Sequence, residues 1–176
     1  AIIARALARF ARSSAAEVDS CVQTSLEEIG RFINVDSAYV ILMEPDQTTW
    51  SVTHAWAAPG VPDHTSEYQR VPVGALPWAA SKVLAGETVS IASIDDFPPE
   101  ADAERARFER DGARSQLLVP LRGRDGKVAG AVGFTTYEHQ TDWDPEDLPR
   151  IRLVCEAIVN VLERKRAEES LQRSEE

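Results

Sequence analysis

The chain has 176 residues, 43% hydrophobic and 27% charged, the make-up of one soluble globular domain able to enclose a single core. No apolar run approaches the about 18 residues of a membrane span, and Ala1-Ile2-Ile3-Ala4-Arg5 has neither the charge order nor the cleavage site of a secretory signal. Nineteen basic against 29 acidic side chains leave a formal charge of −10, which disfavours loose phosphate-backbone binding, so neither nucleic acid nor membrane is an expected partner. Cys21 and Cys155 fall in helical patterns and read as small core hydrophobes, which fits a reducing cytoplasm. With Ala1 at its start and Met43 as the only methionine, the chain reads as a piece of a longer protein.

Ile2, Ile3, Ala6, Leu7 and Phe10 share one face of a first helix over residues 2–12. Ser14 and Glu17 have capping-box spacing and open a second helix from about Glu17 to Asn34, with Val18, Cys21, Val22, Leu26, Ile29 and Ile33 inward. The β-favouring run Ala38 to Met43 is a first strand. It pairs through the turn at residues 44–47 with a second strand in which Trp50, Val52, His54 and Trp56 alternate with smaller side chains. Residues 58–73 contain three prolines and read as a long loop of the kind that lines sites.

A short helix follows from Leu76 to Ala85, with Trp78, Val83 and Leu84 inward and Gly86 closing it, and then a brief strand at Val89-Ser90-Ile91. Glu100 to Asp111 is a charged helix whose inner contacts are expected to be Ala103, Ala106, Arg107 and Phe108. Ser115–Leu121 and Val128–Tyr137 are two strands joined by a turn containing Asp125-Gly126. Asp144 as N-cap and Pro145 at the first helical position start the last helix, which buries Leu148, Ile151, Val154, Cys155, Ile158, Val161 and Leu162. From Glu163 the pattern turns polar. A domain over 1–162 and a helical linker over 163–176 are therefore expected.

This order predicts an α+β fold, a mostly antiparallel sheet with helices on its faces. Ser115-Gln116-Leu117-Leu118-Val119-Pro120-Leu121, the turn, and Val128-Ala129-Gly130-Ala131-Val132-Gly133-Phe134 resemble the C-terminal strand hairpin of GAF domains. Ala79–Ile91 and Trp143-Asp144-Pro145-Glu146-Asp147-Leu148 are similar to the same family, and the resemblance spans about residues 5–162. Glu163 to Leu171 resembles the linker joining GAF domains to PAS, histidine kinase or diguanylate cyclase modules in bacterial signalling proteins. The resemblance implies a GAF-like fold whose terminal helices pack together, a sensory role rather than catalysis, and a covalently linked output domain.

Fold does not choose among the functions GAF domains carry. The Asn-Lys-Phe-Asp-Glu signature of the cyclic-nucleotide group is missing, since Asn34 and Asn160 have no Lys-Phe neighbour. Bilin-binding relatives attach chromophore through a cysteine beside a histidine, which neither Cys21 nor Cys155 provides. The free methionine sulfoxide reductase branch needs several cysteines from the ligand loops and strands, and neither Cys21 nor Cys155 occupies such a place; an enzyme of that type is the alternative reading, with a ligand-free dimerisation module as a third. No metal-ligand spacing, phosphate loop or nucleophile elbow occurs.

His54 shares an expected strand face with Trp50 and Trp56, which together offer a ligand-facing wall. Asp95, Asp96, Phe97, Trp78 and Phe108 occupy positions where GAF relatives enclose a ligand. The expected ligand is small, partly aromatic or neutral, and held between the sheet and residues 56–110; no particular cofactor follows. Ile2, Ile3, Leu7 and Phe10, with near-heptad Leu148, Ile151, Cys155, Ile158 and Leu162, predict a parallel homodimer through the terminal helices.

Overall fold

In the computed structural model, which describes residues 2–175, one antiparallel sheet separates two groups of helices. The helices are α1 (Ile2–Arg12), α2 (Val18–Phe32), α3 (Pro77–Leu84), α4 (Asp102–Asp111) and α5 (Leu148–Glu175). The strands are β1 (Ser37–Met43), β2 (Thr49–Ala57), β3 (Val71–Pro72), β4 (Val89–Ile91), β5 (Ser115–Arg122) and β6 (Val128–Thr136). Their order across the sheet is β3-β2-β1-β6-β5-β4, every pair antiparallel. The α+β arrangement expected from the element order, an antiparallel sheet with helices on its faces, is thus present. No helix among the described residues is long and apolar enough to cross a membrane.

Alternation along the central strands divides their side chains between two cores. Ala38, Val40 and Leu42 of β1, Leu117, Val119 and Leu121 of β5, and Val132 and Phe134 of β6 pack under α1, α2 and α5. Tyr39, Ile41 and Leu118 point the other way, into a smaller core built with Phe97, Phe108 and the inner side of α3. The expectation of uniform alternation along β2 fails. Val40 pairs with His54 while Ile41 pairs with Val52, so Thr53 is an extra, bulged residue. The bulge sends His54 and Trp56 to the helix layer of Val40, and Trp50 and Val52 to the opposite face.

Local signals account for most element ends. Ser14 N–H and Oγ–H both donate to Glu17 Oε1, at 3.3 and 2.7 Å, across a single 3-10 turn leading into α2. That helix stops at Phe32 rather than Asn34, because Asn34 turns to φ 58° and the Val35 N–H returns to the Gly30 carbonyl at 2.9 Å. Asp144 does accept from the Glu146 N–H at 2.9 Å, but it closes a separate turn over 144–147 and α5 begins only at Leu148. In α4 the expected inward alanines, Ala103 and Ala106, are exposed, and Ala101, Glu104 and Phe108 form the buried stripe.

The helix layer is tied together by polar contacts at its rim. Asp19 of α2 accepts from Lys165 Nζ of α5 at 2.6 Å and meets His54 Nε2 of β2 at 2.8 Å, and these two partners, Lys165 foremost, hold its carboxyl below the usual range. Arg164 Nη2 donates to the carbonyls of Phe10 and Ser13, at 3.3 and 2.9 Å, where α1 ends. Buried positions along α5 stop at Leu162, and residues 166–175 are exposed.

Gly30 is where α2 comes closest to the sheet. A Cβ there would lie 2.5 Å from Cζ3 of Trp56, whose ring is buried and covered on its outer side by the Arg31 guanidinium at 5.6 Å. Replacing a mid-helix glycine by alanine ordinarily gains about 1 kcal/mol, whereas forcing a buried ring aside costs about 1–3 kcal/mol. Gly30→Ala is therefore expected to lower stability in urea unfolding, and the same change in a Trp56→Leu background to raise it, a reversal that a double-mutant cycle reads directly.

Candidate functional site

On the sheet face away from α1, α2 and α5 lies a cavity of about 170 Å³, roofed by α3, α4 and the chain after β2. Its wall is aromatic. All three tyrosines of the protein, Tyr39, Tyr68 and Tyr137, border it together with Trp50, His64 and Phe108. Trp50 stacks on Tyr68 with centroids 6.0 Å apart and planes at 15°, and His64 tilts against Tyr137 at 6.1 Å.

Each ring is placed by a specific local device. Tyr39 points into the cavity by β1 alternation, and its ring crosses β6 at Gly133, where a Cβ would stand 2.2 Å from Cε2. Its hydroxyl accepts the Gln116 Nε2–H at 2.9 Å and is hydrogen-bonded to Thr135 Oγ1 at 3.0 Å. Trp50 faces inward because of the Thr53 bulge. Tyr68 is fixed by its carbonyl, which accepts from Val52 N–H at 2.9 Å, by its hydroxyl, which donates to Asp111 of α4, and by Arg107, whose guanidinium sits 5.2 Å above its ring. Tyr137 follows β6 directly, where buried Asp36 Oδ2 accepts from the N–H groups of Tyr137 and Glu138 at 2.6 and 3.1 Å.

Charged groups are unevenly used. His64, Glu67 and Asp111 bring ligand atoms close enough together for a metal ion, but Arg110 bridges Asp111 at 3.0 Å and Glu67 at 3.4 Å and supplies the positive charge there. Glu104 of α4 borders the cavity and is buried, with Oε2 accepting the Ala79 N–H of the first turn of α3 at 2.8 Å. Among the described residues, Arg107 is the arginine that borders the cavity.

Of the residues expected at a site, Trp56 and Phe108 border this cavity, although the Trp56 ring packs on Gly30 in the helix layer. His54 lies on the helix side, held between Asp19 and Thr53 Oγ1 at 2.8 Å each. Asp95 and Asp96 belong to a 3-10 turn after β4, where Asp96 Oδ2 accepts from Ala92 and Ser93 N–H at 2.9 and 3.1 Å. Phe97 packs edge-on between Trp78 and Phe108, at 6.1 and 5.1 Å, behind the cavity rather than in it. Sequence reasoning missed Tyr39, Tyr68, Tyr137 and Glu104, and set Trp50 on one face with His54 and Trp56, a grouping that the bulge divides. The available signals were β1 alternation for Tyr39 and the Ala101, Glu104, Phe108 helical spacing for Glu104.

The sheet has this strand order with α1 against α5 on one face and a roofed aromatic cavity on the other. The profile of the GAF domain family matches residues 15–163, and the chain belongs to that family. No curated protein matches it in sequence. Among solved structures it is similar to the phycocyanobilin-bound GAF domain from a cyanobacterial phytochrome, with TM-score 0.77 and 14% identity over 95% of this chain and 94% of that one. It is also similar to the blue-light absorbing form of the PixJ GAF domain of Thermosynechococcus elongatus, with TM-score 0.72 and 14% identity over 90% and 92% of the two chains. The GAF domain of an Acinetobacter phosphoenolpyruvate-protein phosphotransferase gives TM-score 0.71 and 13% identity over 94% and 93%. At these identities the likeness is one of fold.

Burial raises the phenols of Tyr39, Tyr68 and Tyr137 above the ordinary value of 10.0; Asp111, as the acceptor of its proton, pushes Tyr68 further, and the nearby Tyr39 does the same to Tyr137. A folded-state value above the unfolded one means that the stability these groups contribute is complete below pH 10.0 and is lost as pH climbs through the folded values. Alkaline titration is expected to show phenolate absorbance appearing together with loss of circular dichroism, with no separate tyrosine step beforehand.

Proposed function

We propose that this GAF domain is the cytoplasmic sensory part of a bacterial signalling protein. It takes a small molecule into the aromatic cavity and reports occupancy through α5 to an output module of PAS, histidine kinase or diguanylate cyclase type. The observation that carries this reading is the division of labour within single strands. Leu118 of β5 touches the cavity while its neighbours Leu117 and Val119 pack in the core that α5 completes. A ligand that moves β5 or β6 thereby changes the bed on which α5 lies, one residue away along the strand.

The phycocyanobilin-bound neighbour supports a small-molecule ligand for this fold. The enclosed part of the cavity favours a compact ligand. About 170 Å³ falls below the roughly 300 Å³ at which pockets for drug-sized molecules begin and just above the about 150 Å³ cavity that holds benzene. Cys21 and Cys155 both lie buried in the helix-side core, away from the cavity, and burial pushes the Cys155 thiol up to about 12. That placement supports binding rather than the thiol exchange of a methionine sulfoxide reductase.

The terminal helices also support a homodimer, though through a different face from the one that heptad spacing suggests. Ile151, Cys155, Ile158 and Leu162 are spent on the chain's own core, and the large apolar side chains exposed on the terminal helices are Leu7 of α1 with Leu153 and, in the polar tail, Leu171 of α5. Sedimentation equilibrium at high micromolar concentration is expected to give a dimer that Leu7→Glu with Leu153→Glu converts to monomer; a strictly monomeric parent chain refutes the dimer. Native mass spectrometry of the protein isolated from its own host is expected to show a bound small molecule whose removal lowers the melting temperature. A protein that is always empty, and indifferent in melting temperature to a metabolite library, would leave only a structural role.

A further inference from the structure

Two polar atoms on cavity-bordering side chains, Glu104 Oε1 and His64 Nε2, are buried without any hydrogen-bond partner. Glu104 is only 7% exposed. Its other oxygen is committed to the Ala79 N–H, which anchors the carboxyl group between α4 and α3 and leaves Oε1 as a fixed acceptor. His64 Nδ1 lies 3.1 Å from Glu67 Oε2. An ionised carboxylate only accepts, so Nδ1 carries the hydrogen, and Nε2 of the neutral ring is an acceptor as well. Buried acceptors without donors are rare because nothing repays their lost hydration. Both lack the same complement, a hydrogen-bond donor.

The charge of the cavity points the same way. Asp63 and Glu104 border it against Arg107, which is turned onto the Tyr68 ring, while Asp111 is paired with Arg110. Trp50, Tyr68 and Tyr137 supply flat apolar surface on which a ring can stack. Resting on the reading of this cavity as a ligand site, we infer that it selects compact aromatic or heteroaromatic molecules bearing amidine, amine or ring N–H donors, with Glu104 Oε1 as the principal acceptor, and that it discriminates against anions of the same shape.

Benzamidine, benzoate and toluene share one ring and nearly one shape but differ as cationic donor, anion and neutral molecule without a donor. They are titrated into the full chain near pH 8, above the ordinary histidine range, and followed by calorimetry and tryptophan fluorescence. Benzamidine is expected to bind at least about tenfold more tightly than either of the others, the scale of one charged hydrogen bond. Glu104→Gln keeps an oxygen for the Ala79 N–H and presents an amide NH2 to the cavity. It is expected to weaken benzamidine at least about tenfold and to strengthen benzoate, with an unchanged circular dichroism spectrum.

If that variant fails to fold, His64→Phe, which keeps a ring against Tyr137, is expected to weaken benzamidine and leave toluene unchanged. Equal binding of toluene or benzoate by the parent chain overturns the donor preference while leaving the cavity a ligand site. A benzamidine preference that survives Glu104→Gln overturns the role of Glu104. Failure of all three probes to bind removes the ligand site itself, and this inference with it.

Discussion

One extra residue, Thr53, decides what each face of the sheet is for. Side chains along a strand alternate strictly, so an unbulged β2 would have put Trp50, Val52, His54 and Trp56 on a single side. The side facing α2 has no room for them, since Gly30 is already pressed against the Trp56 ring. With the bulge, the inner end of β2 serves the helix core and its outer end serves the cavity. Tyr68 depends on the same arrangement, because its backbone is hydrogen-bonded to Val52 and its ring stacks on Trp50. The aromatic wall is thus a consequence of strand register before it is a matter of residue choice.

Most of the secondary structure was legible because it is written in local patterns. The apolar period of α2 and α5, the alternation of β1 and β6, and Gly112 in the left-handed conformation at the end of α4 all act over a few residues. β3 escaped notice for the converse reason: Val71-Pro72 is too short to have a period, and a proline is tolerated there because the strand is at the edge of the sheet. The GAF resemblance carried the topology of the hairpin. It carried the site less well, placing Asp95, Asp96 and Phe97 against a ligand when their bonds and contacts are with their own turn and with the core behind the cavity.

Glu104 shows what a one-dimensional reading lacks. In a charged helix the small apolar residues Ala103 and Ala106 look like the inward face, and a carboxylate looks like the solvated one. The carboxylate is inside because a free N–H at the start of α3, distant in sequence, needs an acceptor there. Similarly His54 has its partner on α2 and Asp36 has its partners beyond the far end of β6. Partners brought together only by the completed fold leave no trace in spacing.

The hydrogen bonds from Arg164 to the last carbonyls of α1 limit how α5 can move. The Phe10 carbonyl also accepts from the N–H and Oγ–H of Ser13, at 3.3 and 2.9 Å, and Arg164 adds a donor from another helix to it and to the Ser13 carbonyl just past the end of α1. Sliding α5 along its axis by one turn would carry the guanidinium about 5.4 Å away and break both of these bonds. The two helices are thus keyed together at the end of α1, as α5 and α2 are keyed by Lys165 and Asp19, and any displacement of α5 alone has to break such contacts first.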